Sequence, residues 1–398
     1  MSLTWKQRYY TILGNTMEYY DIAIFASLSP YISHVLSNQG IGDADVIITC
    51  ILALRFIIRP LGGILIGRYA DNHGRRKALI LSNILTGFAT LCMSLIPIEL
   101  LGPYIVFSFL FFQMLQSFSF GGEYPTLILF LLNNSKTNEH SRISSLIVTS
   151  SIVGVVLSLL VVASLEFFLT PEEMKDWGWR AALLVGLGNI MMSAYIRLSL
   201  PEPKEEKERE TKLDYSALFK VFSLAMLGGV MFYLQNFASG IIGKVIQIEH
   251  LGLINSCSLI VLILLFGYLI DKYSTPVAAA RLGSLLILIT SVPFMWMMES
   301  NQLLLQLFGT LGLSAGAAII LSTLAATLWA YSKKATINLA IGYNFALSIF
   351  GGLTPLIVTE AMKINIMYVG IYVSLAALPS LFVLSSQNRK MLFPKSTA

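Results

Sequence analysis

Gly67-Arg68-Tyr69-Ala70-Asp71-Asn72-His73-Gly74-Arg75-Arg76-Lys77 is a short polar stretch set between two long apolar ones, 46–70 and 78–98. Each flank is long enough to cross a hydrocarbon layer of about 30 Å as an α-helix. Inside that layer every backbone polar group must be satisfied within the segment, which leaves the helix as the natural form. The stretch is then a tight turn at a membrane surface. Its cations Arg68, Arg75, Arg76 and Lys77 mark that surface as the side on which Lys and Arg collect.

Outward from this turn the same pattern repeats. Apolar runs at 11–36, 46–70, 78–98, 103–133, 142–167 and 180–200 are followed by 217–243, 251–271, 277–298, 302–331, 335–360 and 365–386. The chain has 398 residues, 56% hydrophobic and 12% charged, with a mean hydropathy of +0.72. A soluble fold has too little interior to hide that much apolar surface. The reading is an all-α integral membrane protein with twelve transmembrane helices. The long polar stretch 201–216, with Lys204-Glu205-Glu206-Lys207-Glu208-Arg209-Glu210, divides it into a six-helix bundle at 1–200 and another at 217–398. With both termini cytoplasmic, about twenty-one Lys and Arg fall inside and about four outside, so this orientation is expected. The halves echo each other. Gly67-Arg68-Tyr69-Ala70-Asp71 follows the second span, and Gly267-Tyr268-Leu269-Ile270-Asp271 follows the eighth, as in parallel-repeat transporters.

Several functions are disfavoured. The formal charge of +5 is spread through the gaps between spans rather than gathered into a nucleic-acid face. Cys50, Cys92 and Cys257 lie in apolar runs, which disfavours a disulfide framework. No cleavable signal is visible, since Glu18 and Asp21 interrupt the first run. His34, His73, His140 and His250 lie outside the deep parts of spans and away from Cys at ligand spacing, so no metal is expected. A Walker loop and a Gly-x-Ser-x-Gly elbow are both missing, so neither an ATP-driven pump nor an enzyme is expected.

The loop at 67–77 resembles the signature loop of the major facilitator superfamily, Gly-x-x-x-Asp-x-x-Gly-Arg-Arg-Lys. Further segments resemble its metabolite:proton symporter family, which includes proline/betaine, α-ketoglutarate, shikimate and citrate carriers. They are Gly14-Asn15-Thr16-Met17-Glu18-Tyr19-Tyr20-Asp21, Arg59-Pro60-Leu61-Gly62-Gly63 and Gln116-Ser117-Phe118-Ser119-Phe120-Gly121-Gly122-Glu123-Tyr124. Trp177-Gly178-Trp179-Arg180, Gly342-Tyr343-Asn344-Phe345 and Phe350-Gly351-Gly352-Leu353-Thr354-Pro355 complete the series in family order. The resemblance implies two pseudo-symmetric six-helix bundles (the major facilitator fold) and uptake by alternating access across a bacterial inner membrane, as a monomer. It implies a gate made by Gly67, Asp71, Gly74, Arg75, Arg76 and, in the second half, Asp271. Gly67 would let helices approach, Asp71 would cap a neighbouring helix or pair with Arg75 or Arg76, and Gly74 would permit the turn. Three departures stand out. Gln113 replaces the Arg that the family carries three residues before the span-four Gln, Ser117 replaces a Gly, and the second loop has lost its Gly-Arg-Arg tail.

Ionisable groups inside a bilayer are functional candidates by default. Glu18 and Asp21 share a face of the first span, and Arg55 and Arg59 share a face of the second. At about 1.5 Å per residue these four and Glu123 lie at overlapping depths of roughly 10–20 Å, so ion pairing is geometrically open. Asp21, Glu123 or Glu18 is expected to carry the coupling proton, loading and unloading as a neighbouring Arg moves. Arg55 and Arg59 are expected to meet an anionic part of the substrate; static ion pairing is the plainer alternative. Tyr20, Gln116 and Tyr124, within the resembling segments, are further substrate-binding candidates. Glu166 and Arg180 read as interfacial.

The second half has almost no charge in its core. It offers Tyr233, Gln235, Asn236, Tyr343 and Asn344 for hydrogen bonding or stacking, against the plainer alternative of helix packing. The expected function is proton-coupled symport of a small amino acid, betaine or carboxylate. The cofactor requirement is none, the proton being the coupling ion. The partners are a small-molecule substrate and the lipid bilayer, with no nucleic acid. An exporter or uniporter is the first alternative, and a non-transporting sensor or scaffold of the same fold is the second.

Overall fold

The computed structural model describes residues 3–198, 213–248, 251–333 and 335–386, and these are helical throughout with turns between. Most of the expected linker and the C-terminal cations Arg389 and Lys390 lie outside the described residues.

The first span begins as α1 (Trp5–Ser27) at a reciprocal cap. Thr4 accepts the Gln7 N–H while the Gln7 side chain accepts the Thr4 N–H. It breaks at Leu28 and resumes as α2 (Ser29–Asn38), because Pro30 has no N–H with which to continue the ladder. The second span, read as one run at 46–70, is likewise two helices, α3 (Ala44–Leu54) and α4 (Arg59–His73). Pro60 enforces this break, since its ring would strike the carbonyl of Phe56 in a continuous helix. Arg55 therefore stands at a turn and Arg59 at the first position of a helix. Then follow α5 (Arg75–Ser94), α6 (Ile105–Asn133), α7 (His140–Phe168) and α8 (Trp179–Leu198). Gly74 links α4 to α5 at φ 100°, a conformation L side chains rarely adopt, so the turn requires glycine there.

The second half comprises α9 (Tyr215–Tyr233), a π turn at Leu234–Ala238, α10 (Ser239–Val245), α11 (Leu251–Tyr273), α12 (Pro276–Met298) and α13 (Leu303–Tyr331). It continues with α14 (Thr336–Ala346), a second π turn at Leu347–Gly351, α15 (Gly352–Ile364) and α16 (Met367–Ser385). Asp214 starts α9 by accepting the Ala217 N–H, and Thr275 starts α12 by accepting the Ala278 N–H. Ten helical segments among the described residues are long and apolar enough to cross a membrane. The α1–α2 pair and α8 fill the first and sixth places, giving the twelve-helix order.

By contacts the chain forms two compact units, Met1–Phe130 with Ser150–Thr211, and Leu131–Thr149 with Lys212–Ala398. In the first, Tyr20, Phe25, Phe109 and Trp179 are fully buried in one core, the rings of Phe109 packing edge-on against Phe25 at 5.7 Å and Trp179 at 6.2 Å. The backbones of α4 and α6 touch. A Cβ on Gly62 would overlap the Phe118 carbonyl, and one on Gly121 would overlap that of Arg59. In the second unit a Cβ on Gly267 would overlap Ser145, so α11 lies against the start of α7 just as closely.

Candidate functional site

Of the predicted candidates of the first half, Arg55 and Gln116 join Asp21 in the first unit. Its carboxylate is fully buried, and only one of its oxygens is used. Thr90 of α5 and the Gln116 side-chain amide of α6 (3.1 Å) both donate to Oδ2. Oδ1 accepts no hydrogen bond among the described residues and faces Gly186 of α8, where a Cβ would overlap it. Asp21 makes no ion pair among the described residues, so the expected direct pairing with an arginine is replaced by neutral donors.

The arginine is nevertheless connected. Arg55 Nη1 donates to Gln113 Oε1 at 3.0 Å, Gln113 Nε2 donates to Gln116 Oε1 at 2.9 Å, and Gln116 passes its own amide to Asp21. Gln116 also donates to Thr90 at 2.8 Å, and Arg55 to the Ile22 carbonyl at 3.1 Å. Gln113 and Gln116 are three apart on α6, so both amides project on one face. The turn that Pro60 forces between α3 and α4 is what lets Arg55 reach that face.

Arg59 lies elsewhere. It is 1% exposed, donates Nε to Ser117 at 3.1 Å, and rests between the rings of Phe56 (4.2 Å) and Phe120 (4.6 Å). Among the described residues that is its only hydrogen bond, and it has no ion pair. Tyr124 belongs to the same aromatic group, with Tyr19 and Phe120 each 6.1 Å away. Tyr20 does not face this group: its hydroxyl donates to the Ala182 carbonyl at 2.9 Å and ties α1 to α8. Glu18 and Glu123 are buried, and each has partners in the fold.

In the second unit the candidates bond within their own helices and across to neighbouring ones. Asn236 donates to Phe232 O at 2.9 Å and accepts from Ser256 at 3.0 Å, while Asn344 donates to Ala340 O at 2.8 Å. Tyr233 stacks on Phe237 at 5.2 Å and packs against Gly351, so one π turn lies beside the other. Gln235 accepts from Ser314 at 3.2 Å, and Tyr343 is buried.

The loop residues divide by copy. Gly67 is buried within α4; Asp71, Arg75 and Arg76 each have partners in the fold. The N-cap of α5 is Gly74, which has no side chain to offer. In the second copy Asp271 does the capping. It accepts the backbone N–H of Ser141 (2.8 Å) and of Arg142 (2.9 Å) and pairs with Arg142 Nε at 3.2 Å, so it stabilises the positive end of α7. Thr90, Gly186, Phe56 and Arg142 were not singled out from the sequence. None carries a buried charge or a spacing signal, and only the packing of distant helices brings them in.

The chain is 28% identical over 378 residues to a putative proline/betaine transporter of Staphylococcus aureus (strain COL), covering 88% of this chain and 80% of that protein. It is 26% identical over 363 residues to the α-ketoglutarate permease of Escherichia coli (strain K12), covering 85% and 83%. The solved structure of the proton:xylose symporter XylE bound to 6-bromo-6-deoxy-D-glucose superposes with a TM-score of 0.74 over 96% of this chain and 95% of that one. At 14% identity it speaks for the fold alone. The family model for the Major Facilitator Superfamily matches residues 11–355. On that match this chain, a multi-pass membrane transporter of small molecules and not an enzyme, belongs to the Major Facilitator Superfamily.

Proposed function

We propose that the chain is a proton-coupled symporter that takes up a small carboxylate-bearing solute, such as an amino acid or betaine, across a bacterial inner membrane. The observation that carries this reading is the half-used carboxylate of Asp21. A fully buried acid with one oxygen held by two donors and the other bare is arranged to gain and lose one proton, at Oδ1. Arg59 supports the substrate half of the reading. A buried guanidinium without a carboxylate partner among the described residues is costly, and a substrate carboxylate would complete it. The names of the relatives, proline/betaine transporter and α-ketoglutarate permease, fit a carboxylate-bearing solute. Both termini lie in the cytoplasm in this reading, on the strength of the Lys and Arg distribution, and the protein acts as a monomer.

The test is uptake of radiolabelled proline, betaine and α-ketoglutarate into proteoliposomes under an imposed proton gradient. Asp21→Asn should abolish gradient-driven accumulation of the transported probe and retain its counterflow exchange. Wild-type-like accumulation by Asp21→Asn would overturn the assignment.

A further inference from the structure

We propose that Arg55 acts as a positioning residue for Asp21 through the side-chain amides of Gln113 and Gln116. In this reading the positive charge serving the proton site has moved from span four to the turn in span two. The inference rests on the reading of Asp21 as the proton site.

Three hydrogen bonds in series join the two groups: Arg55 to Gln113 at 3.0 Å, Gln113 to Gln116 at 2.9 Å, and Gln116 to Asp21 at 3.1 Å. Their direction is fixed by chemistry at both ends. A guanidinium only donates, so Gln113 must present its oxygen to Arg55 and its nitrogen to Gln116. A carboxylate only accepts, so Gln116 must present its nitrogen to Asp21. Both amide dipoles therefore point their positive ends at the acid, and all four residues are buried where such dipoles act with little screening. The arrangement favours the charged carboxylate while Arg55 holds Gln113. If Arg55 withdraws, Gln113 loses the donor that fixes its oxygen, and Gln116 is then held only by Thr90 and the carboxylate itself, so the orientation of the series weakens.

The Gln at position 113 is the departure that the sequence displayed, and Arg55 is the residue that reaches it. Other groups around Asp21 do not supply this charge. Thr90 of α5 and Gly186 of α8 are neutral. Tyr20 and Glu18 are its titratable neighbours on α1, the latter three residues away. The competing account is that Arg55 merely braces α1 through its bond to the Ile22 carbonyl at 3.1 Å.

Rescue separates the two accounts. In proteoliposomes, Arg55→Gln should slow gradient-driven uptake of the transported probe about tenfold or more and spare counterflow. Adding Gln113→Arg to that variant should restore accumulation, because the charge returns next to Gln116. Gln113→Leu cuts the series without removing any charge or the brace to Ile22, and should uncouple as Arg55→Gln does. The inference fails if Gln113→Leu accumulates like the wild type. It fails equally if the double variant, with a melting temperature like that of the wild type, stays as uncoupled as Arg55→Gln. Failure of the Asp21 reading looks different, because there Asp21→Asn itself continues to accumulate the probe.

Discussion

Adding a single methyl group at Gly186 should disable proton coupling without altering any polar residue. A Cβ at this position would lie well under 3.0 Å from Asp21 Oδ1, an approach that Cβ atoms do not make, and 3.2 Å from the Tyr20 ring. Either α8 or the carboxylate has to yield. The Gln116 bond to that carboxylate is already 3.1 Å long, and a shift of roughly 1 Å takes it out of range. A hydrogen bond to a charged group contributes about 1.5–3 kcal/mol, so gradient-driven uptake should fall by about 10- to 150-fold. Stability moves less. Overpacking costs about 1–3 kcal/mol, and replacing a helical glycine by alanine returns about 1 kcal/mol of it. Gly188 supplies the control, since a Cβ there meets nothing within 4 Å. Gly188→Ala should therefore leave transport untouched and slightly raise the melting temperature. Proteoliposome uptake under a proton gradient, beside counterflow and thermal unfolding, reads all of this. Wild-type uptake by Gly186→Ala, or equal damage from both variants, would refute the packing of Oδ1 against this helix.

Three further outcomes are expected. Arg180 donates to the Ser94 carbonyl at 2.7 Å and the Ile96 carbonyl at 2.8 Å, a two-pronged clamp on the end of α5. Arg180→Lys keeps the charge but loses one prong, and thermal unfolding should register a loss of about 1 kcal/mol. Asp271→Asn keeps an acceptor for the start of α7 but loses the Arg142 pair; it should cost about 1–3 kcal/mol and speed hydrogen exchange at residues 141 and 142. Lys333 first, and then the Ala217 N–H, hold Asp214 below its ordinary value of 3.8. A carboxyl lowered by folding stabilises the protein above its unfolded value, and that contribution is lost as pH falls through the folded one. The deficit in melting temperature of Asp214→Asn should thus be full at pH 7 and should shrink in strongly acidic buffer.

The membrane class and the order of twelve spans were legible because apolar length is a local property. What breaks the spans was harder to read. Pro30 and Pro60 were in plain view, yet a proline within an apolar run reads equally as a kink or a full stop, and here both are stops. The π turns at 234–238 and 347–351 have no composition that sets them apart. At the site, Asp21 and Arg55 stood out because charges in a bilayer are conspicuous, and Gln116 because it lies in a segment that resembles the family. Their connection did not, since depth estimates place residues along the membrane normal and say nothing about which faces meet. Depth alone left direct ion pairing open for Asp21, and the fold gives it two neutral donors instead. Arg180 read as an interfacial charge for the same reason, before Ser94 and Ile96 supplied its partners. Thr90 and Gly186 carry no charge, so nothing short of the packed helices reveals them.

The contact of α4 with α6 has a consequence for the transport cycle. Where two backbones meet at Gly62 and Gly121 there is no side-chain layer to slide or repack, so the pair has no internal degree of freedom. The backbones that carry Arg59 on one helix and Ser117 and Phe120 on the other are held at one spacing, like the fixed jaw of a vice. Asp21 and Thr90 arrive on two other helices, and Arg55 on a turn; these three reach the site through side chains, which have rotamers to change, while Gly186 offers only bare backbone. Adjustment during a cycle is then concentrated at the acid and its donors, while the backbone beneath the proposed carboxylate-binding surface stays rigid.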